Sequence, residues 1–512
     1  MSFPPLAYNQ YHSNSVEYHD GKTACHSSCE PSIKTIIIPA MRKMTALLLL
    51  CFSLPAVGEG LPNLGDISQT VLTPLQERQI GQQSMLQIRA GKQFLDDPEI
   101  NDYLNQLGYK LVENSAEPSL GFEFFALDDP SINAFAMPGG FIGVNSGLLL
   151  TAQSESELAA VLSHEIAHVT QHHLARIIAS QQNNGLATMA ALAVAIVASR
   201  TNPQAAEAAI VSLQAHTIQK QLDFTRSHEQ EADRIGLDIL QRSNFSIHAM
   251  PEFLTRLQLS TRLLEGPTPT YLRTHPVTSD RVADIGNRVN KQPYRLIPDS
   301  LDFQLARTKL IATRKTAPDA IAYFSDALDT QKHGNPIAQR YGLVISLLRS
   351  GNIKRASLEL STLHKLAINN PMIETLAGKV KLAENNPAEA LAFYRTAVQN
   401  FPQHRALIYD YAELLLNSDL AKTALELLID QLVRHPSDTR LYELQARAYA
   451  IQGKILEQHH AQAYSYAWQG NLHAAHEQLE MAKQAGGNFY QLSVIESDLR
   501  ELRELLGTQE KP

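Results

Sequence analysis

The chain has 512 residues, 44 Lys+Arg against 52 Asp+Glu, and a formal net charge of -8. Hydrophobic residues make up 44% and charged residues 19%, which suits two or three packed domains and excludes a disordered polymer. The mild acidity argues against a nucleic-acid binder, which needs a basic field; Cys25, Cys29 and Cys51 are the three cysteines, so disulfides and cysteine-ligated metal are excluded beyond residue 51.

Residues 41–58 read as an address. Met41-Arg42-Lys43 leads into the apolar run TALLLLCFSLPAV and then Ala56-x-Gly58. A cationic start, a short apolar stretch and a small-residue site mark a secretory signal peptide. Residues 1–40 are polar and mixed, and are expected to be an upstream over-read ahead of a start at Met41, with an unusual leader as the alternative. Leu50 stands before Cys51 where a lipid anchor would need a small residue.

Thr73-Pro74 and Asp97-Pro98 each put a capping residue before a first-turn proline, which predicts two helices over 73–113. FEFFAL at 122–127 predicts a strand. Residues 134–149 predict a second strand, a Pro-Gly-Gly turn at 138–140 and a third strand. Ser154-x-x-Glu157 is a capping box that opens a helix expected to run to about Ile178. Gly185 to Ser199 carries no charge. At about 1.5 Å per residue it covers about 22 Å, short of a ~30 Å hydrocarbon core, so a buried or lid-forming helix is expected. A helical pattern follows from about Pro203 to Arg242, and then a Gly/Pro/Thr-rich loop over 266–280.

From residue 302 the pattern is helical and repetitive. Ala320, Ala356, Ala390 and Ala424 recur at steps of 36, 34 and 34, each followed four residues later by Phe324, Leu360, Tyr394 or Leu428. A copy with Ala475, Leu479 and Ala482 follows after an irregular step of 51. A period of 34 with small residues at a helix crossing is the tetratricopeptide signature. Such helix pairs bury their apolar faces by stacking, which builds a concave surface for a peptide or partner. An all-α solenoid is therefore expected over 302–490, with a terminal helix or tail over 491–512.

The chemistry lies in His164-Glu165-Ile166-Ala167-His168. Side chains at i and i+4 on a helix are neighbours, about 5–6 Å apart at Cβ, so both imidazoles can reach one zinc at about 2.0–2.1 Å. Glu165 sits one step round and can take a proton from a water at the metal, the general-base role of zinc peptidases. A chain of this histidine content gives roughly 0.03 chance matches. The metzincin continuation is absent, since Gln171, His172, His173 and Leu174 stand at 171–174. His172 is four residues past His168, but helical drift argues against it as a ligand. In Ser227-His228-Glu229-Gln230-Glu231-Ala232-Asp233, Glu229 and Asp233 again share one face. Glu229 is the expected third ligand, and Asp233 can hold a ligating His by its other N–H. Glu231 is the competing choice, off that face.

HExxH followed about sixty residues later by ExxxD resembles the HtpX-like and CAAX-prenyl-protease-like zinc metallopeptidases of the gluzincin type. SHEQEADRIG is similar to their third-ligand motif, and INAFAMPGGFIGVNSGLL to the segment ahead of their active-site helix. The resemblance covers residues 66–490. It implies an α+β metallopeptidase domain over 66–300, mostly helical with a small β-sheet, holding one zinc per chain. With a secretory signal and C-terminal repeats, the chain resembles the periplasmic members of this family in Gram-negative bacteria, and the resemblance implies that setting. Its implied role is chaperone-like: assembly and quality control of outer-membrane β-barrel proteins, with cleavage of stalled clients. The implied partners are those clients, the barrel-assembly machinery through the repeats, and peripheral contact with a membrane. The membrane helices of the integral members are missing. Thr274-His275-Pro276-Val277 followed by Arg281 also resembles a family feature, and His275 is expected to be regulatory by filling the open metal position. The alternative from the repeats alone is a holdase or scaffold with a latent or vestigial metal site. All ligand candidates precede residue 302, so the peptidase part is expected to act on small peptides by itself.

Overall fold

The structure is a computed structural model and describes residues 72–180, 215–263, 269–330, 334–366 and 369–509. The segments expected as leader (1–40) and signal peptide (41–58), the Ala-rich stretch at 185–199 and residues 203–214 lie outside the described residues. Residues 71–512 form one compact unit.

Helix α1 (Pro74–Ala90) opens with a full capping box between Thr73 and Gln76, and α2 (Pro98–Val112) with the Asp97 carboxylate accepting from the Glu99 and Ile100 N–H groups. Strands β1 (Glu123–Leu127), β2 (Ala134–Met137) and β3 (Phe141–Asn145) form a sheet in the order β1-β3-β2, with β1 parallel and β2 antiparallel to the central β3. One sheet face packs Phe125, Phe135 and Phe141 on Met85 and Ile88 of α1. The other packs Phe124, Ala134, Ile142 and Val144 into the main core. The third strand stops at Asn145 rather than 149. Leu148 and Leu149 are consecutive and both fully buried, which suits a helix, and α3 (Ser146–Thr151) begins there.

Helix α4 (Glu155–Thr170) carries the HExxH residues. Ser154 accepts the Glu157 N–H at 3.3 Å, but the capping box is only half formed. Glu157 turns to the Gln153 N–H at 2.7 Å and to the Arg256 guanidinium instead of returning to Ser154. The helix expected to reach Ile178 is broken. His172 takes a left-handed φ of 49°, and a new helix α5 (His173–Ser180) starts after it. Helix α6 (Ala215–Arg242) packs along α4. Their approach depends on Gly236, where a Cβ would stand 3.1 Å from the His164 nitrogen. Helix α7 (Ala249–Leu263) follows. The stretch expected as loop contains α8 (Thr270–Thr274), and α9 (Ser279–Val289) starts at its end, capped by Thr278.

The repeats are helix pairs: α10 (Leu301–Arg314) with α11 (Ala317–Thr330), α12 (Pro336–Arg349) with α13 (Ile353–His364), α14 (Pro371–Ala383) with α15 (Pro387–Asn400), α16 (Arg405–Asn417) with α17 (Ala421–Arg434), α18 (Thr439–Ile451) with α19 (Ile455–Trp468), and α20 (Leu472–Ala485) with α21 (Phe489–Gln509). Ala320, Ala356, Ala390 and Ala424 each lie fully buried at the fourth position of a second helix. The step of 51 is one and a half repeats: Gln458 takes that position in α19, and the alanine reappears in α20 as Ala475. No helix of the described residues is long and apolar enough to cross a membrane.

The main core runs without interruption from Ile100 to Val380, across the change of architecture at residue 300. The Tyr103 ring tilts against Phe303 at 6.2 Å. Helix α2 lies against the repeats, with Lys309 Nζ 2.6 Å from both Asp97 and Glu99 carboxylates. His404 Nε2 is 3.3 Å from Glu99 Oε1, and Arg405 Nε donates to Asp102 at 2.8 Å.

Candidate metal centre

His164 and His168 face one way from α4, with their Nε2 atoms 3.0 Å apart. Glu229 comes from α6, its Oε2 3.3 Å from His164 Nε2 and its Oε1 3.4 Å from His168 Nε2. His275 caps the C-terminus of α8 and reaches the same point. Its Nδ1 lies 3.3 Å from His164 Nε2 and 3.0 Å from Glu229 Oε1, and its ring stacks on Tyr271 at 4.9 Å. The four donor atoms all lie within 4.8 Å of one another. Tetrahedral ligands at about 2.0–2.1 Å from an ion stand about 3.3 Å apart, so the set fits a four-coordinate metal ion. The structure thus brings together three residues expected as ligands and one expected as a regulator.

The surrounding charges are arranged around this point. Asp233 Oδ1 lies 3.1 Å from His164 Nδ1, the ring nitrogen turned away from the cluster. Without a metal, burial opposes charge on His164, but Asp233 and Glu229 raise its pKa to about 10. Burial lowers that of His168. Burial works against ionising Glu229 as well, yet His275 and the hydrogen bonds from His164 hold it well below the usual carboxylate range. Asp233 is also lowered, because the Arg281 and His164 hydrogen bonds outweigh its burial.

Glu165 stays off the cluster. Its Oε2 accepts the Ala136 N–H at 2.9 Å, a donor on the edge strand β2. Its Oε1 is buried without a hydrogen-bond partner, 3.3 Å from His275 Nε2. The cleft at the cluster measures about 260 Å³, and Phe135, Met137, Val169, Leu174 and Ile177 form the apolar part of its lining.

The roles of three residues at this site were not legible in the sequence, where Glu231 stood only as a competing ligand and Arg281 only as a neighbour of His275. Arg281, 1% exposed, donates to Asp233 at 2.7 and 2.8 Å, lies 2.8 Å from Glu229 Oε2, and holds the Pro276 carbonyl at 2.8 Å. Its only signal was its place after His275-Pro276. His173 stands behind His168, Nδ1 to Nδ1 at 2.8 Å, and Glu231 stands behind His173 at 3.2 Å. Burial pushes the His173 pKa down to about 2. His172 turns away, toward Glu77 and Glu117 at 3.6 and 3.4 Å.

Two crossing helices that bring an HExxH pair and the carboxylate of an ExxxD segment to one point, beside the edge strand of a small sheet, define an HExxH-type metallopeptidase. The profile of peptidase family M48 matches residues 98–289, and a tetratricopeptide repeat profile matches 381–448. The beta-barrel assembly-enhancing protease of Escherichia coli K12 is 32% identical over 418 residues, which cover 81% of this chain and 85% of that protein. The protein of the same name from Yersinia pestis is 32% identical over 415 residues, 80% of this chain and 85% of its own length. The mitochondrial metalloendopeptidase OMA1 of Schizosaccharomyces pombe is 28% identical over 183 residues, 36% of this chain and 51% of that one. The chain belongs to peptidase family M48, in the repeat-bearing group of the beta-barrel assembly-enhancing proteases.

Proposed function

We propose that the chain is a zinc-dependent endopeptidase of the periplasm that assists and polices the assembly of outer-membrane β-barrel proteins. The observation that carries the chemistry is the convergence of His164, His168 and Glu229 within ligand distance of one another, with Glu165 beside them. These residues would hold a zinc ion, which would supply Lewis acidity toward a peptide carbonyl and an attacking water. Glu165 Oε1 takes the proton from that water, while the Ala136 N–H fixes the other carboxylate oxygen. Asp233 fixes the His164 ring through Nδ1.

His275 is the regulator in this reading. As a fourth donor it closes the position a substrate needs, and it abuts Glu165 Oε1 at 3.3 Å. Withdrawal of the short helix that carries it opens the site, and a client or partner that favours the open form shifts the population. Residues 66–300 supply the peptidase and 302–490 the surface that meets clients and the barrel-assembly machinery. The signal-like sequence pattern at 41–58 and the names of the bacterial relatives support the periplasmic setting. The holdase alternative draws no support from relatives named as proteases.

The test is metal dependence. The purified chain should carry one zinc and cleave an unfolded β-barrel protein. A chelator should abolish cleavage and added zinc restore it. Equal cleavage by the metal-free chain would overturn the reading.

A further inference from the structure

We propose that His173 is a positioning residue that fixes the ring of His168, as the inner member of a chain running from His168 through His173 and Glu231 to Arg176. The inference rests on the zinc reading above and adds residues which that reading does not use.

The two histidines of α4 need the same thing. A metal-binding imidazole offers one nitrogen to the ion, so the other carries hydrogen and must find an acceptor. His164 finds Asp233, which Arg281 clamps. His168 gives Nε2 to the cluster, and the atom facing its Nδ1 is His173 Nδ1 at 2.8 Å. That single condition assigns every proton outward. His168 Nδ1–H donates, His173 Nδ1 accepts, and the His173 proton therefore lies on Nε2. This Nε2–H faces Glu231 Oε2 at 3.2 Å, and the same oxygen accepts from Arg176 Nη1 at 2.7 Å. His173 is 2% exposed, and its ring stacks on His228 at 4.3 Å with an 8° interplanar angle. The ring is thus held in plane as well as along the chain.

The backbone is bent to make this contact. Five residues along an unbroken helix, a side chain points about 140° away from its starting face. The left-handed φ of 49° at His172 ends α4 and restarts the helix, which returns His173 to the back of His168. Non-glycine residues adopt that conformation rarely. The imidazole spacer has an electrostatic consequence too. Glu165, Glu229 and Asp233 already surround the cluster, and a carboxylate placed directly on His168 would add a fourth negative group. A neutral ring keeps Glu231 one residue further out, against Arg176.

The experiment measures zinc affinity of the full chain by chelator competition, with the visible spectrum of the cobalt-substituted protein as a second readout. His173→Leu removes the acceptor; His173→Asn returns an oxygen near the position of Nδ1. His173→Leu should weaken zinc by roughly 10- to 100-fold and alter the cobalt spectrum, and His173→Asn should recover most of both. Unchanged affinity and spectrum in His173→Leu, or an equal loss in both variants, would overturn the proposal. Where His173→Leu does not fold, Glu231→Gln decides: a weakened affinity supports the chain and an unchanged one overturns it. A parent chain that binds no zinc would overturn the metal reading itself and this proposal with it, a result visible before any variant is compared.

Discussion

Glu99→Gln should destabilise the protein in a way that depends on pH. Glu99 is 3% exposed in α2 and lies between Lys309 and His404 of the repeats. Burial alone would raise its pKa, but Lys309 and the hydrogen bond from His404 bring it down from 4.5 to about 2. At about 1.36 kcal/mol per pH unit, that difference is worth roughly 3 kcal/mol of stability from this one ionisation. The folded value lies below the unfolded one, so the contribution is complete above about pH 5. It is lost as pH falls toward 2, with roughly 1 kcal/mol left at pH 3. Urea unfolding of parent and variant, followed by tyrosine fluorescence and by circular dichroism at pH 7, 5 and 3, reads the difference. The gap between the two proteins should shrink by about half or more from pH 7 to pH 3. A gap that is constant with pH would show that Glu99 acts through shape alone, and would remove this ion cluster from the account of how peptidase and repeats are joined.

Glu229→Ala should weaken zinc far more than Glu231→Ala, because Glu229 lies 3.3 Å from His164 Nε2 whereas Glu231 touches the cluster only through His173; parallel metal titrations decide, and the reverse order would move the third ligand. His275→Ala should raise turnover of unfolded protein with zinc content intact, as measured by initial rates, and unchanged or reduced rates would leave His275 a packing residue. Ending the chain at residue 300 should give a fragment that melts well below the full protein or aggregates, read by thermal unfolding, because Tyr103 loses Phe303 and Asp97 and Glu99 lose Lys309. A stable fragment with full zinc affinity would show that the shared core is not needed.

That last prediction reverses what the sequence suggests, and the reason is physical. Periodicity along the chain reports which residues are buried but not what buries them. Ile100, Tyr103 and Leu104 announce an apolar helix face, and nothing local says that the repeats help to cover it. The HExxH and ExxxD segments were legible because i and i+4 spacing on a helix fixes the relative direction of two side chains without tertiary information. The alanine step of 34 was legible for the same reason, since it records a helix crossing repeated by nearest neighbours. The half-repeat offset at Gln458 was not, because Ala475 continues the pattern on the wrong helix of a pair. The His172 break was hidden because no glycine or proline stands between Ser154 and Ile178 to mark it. It depends on a backbone conformation that a histidine does not advertise, and with it went the contact between His168 and His173. Arg281 was visible as a residue, but its three partners come from α6 and from the segment just before α9.

The central claim is that Glu165 is the base beside a metal held by His164, His168 and Glu229. The most direct test compares Glu165→Gln with the parent for zinc content and for cleavage of an unfolded β-barrel protein. The substitution keeps the shape of the side chain and leaves all proposed ligands in place. The account predicts one zinc in both proteins and a rate lower by roughly 10²–10⁴ in the variant. A variant that retains zinc and cleaves as fast as the parent would contradict it.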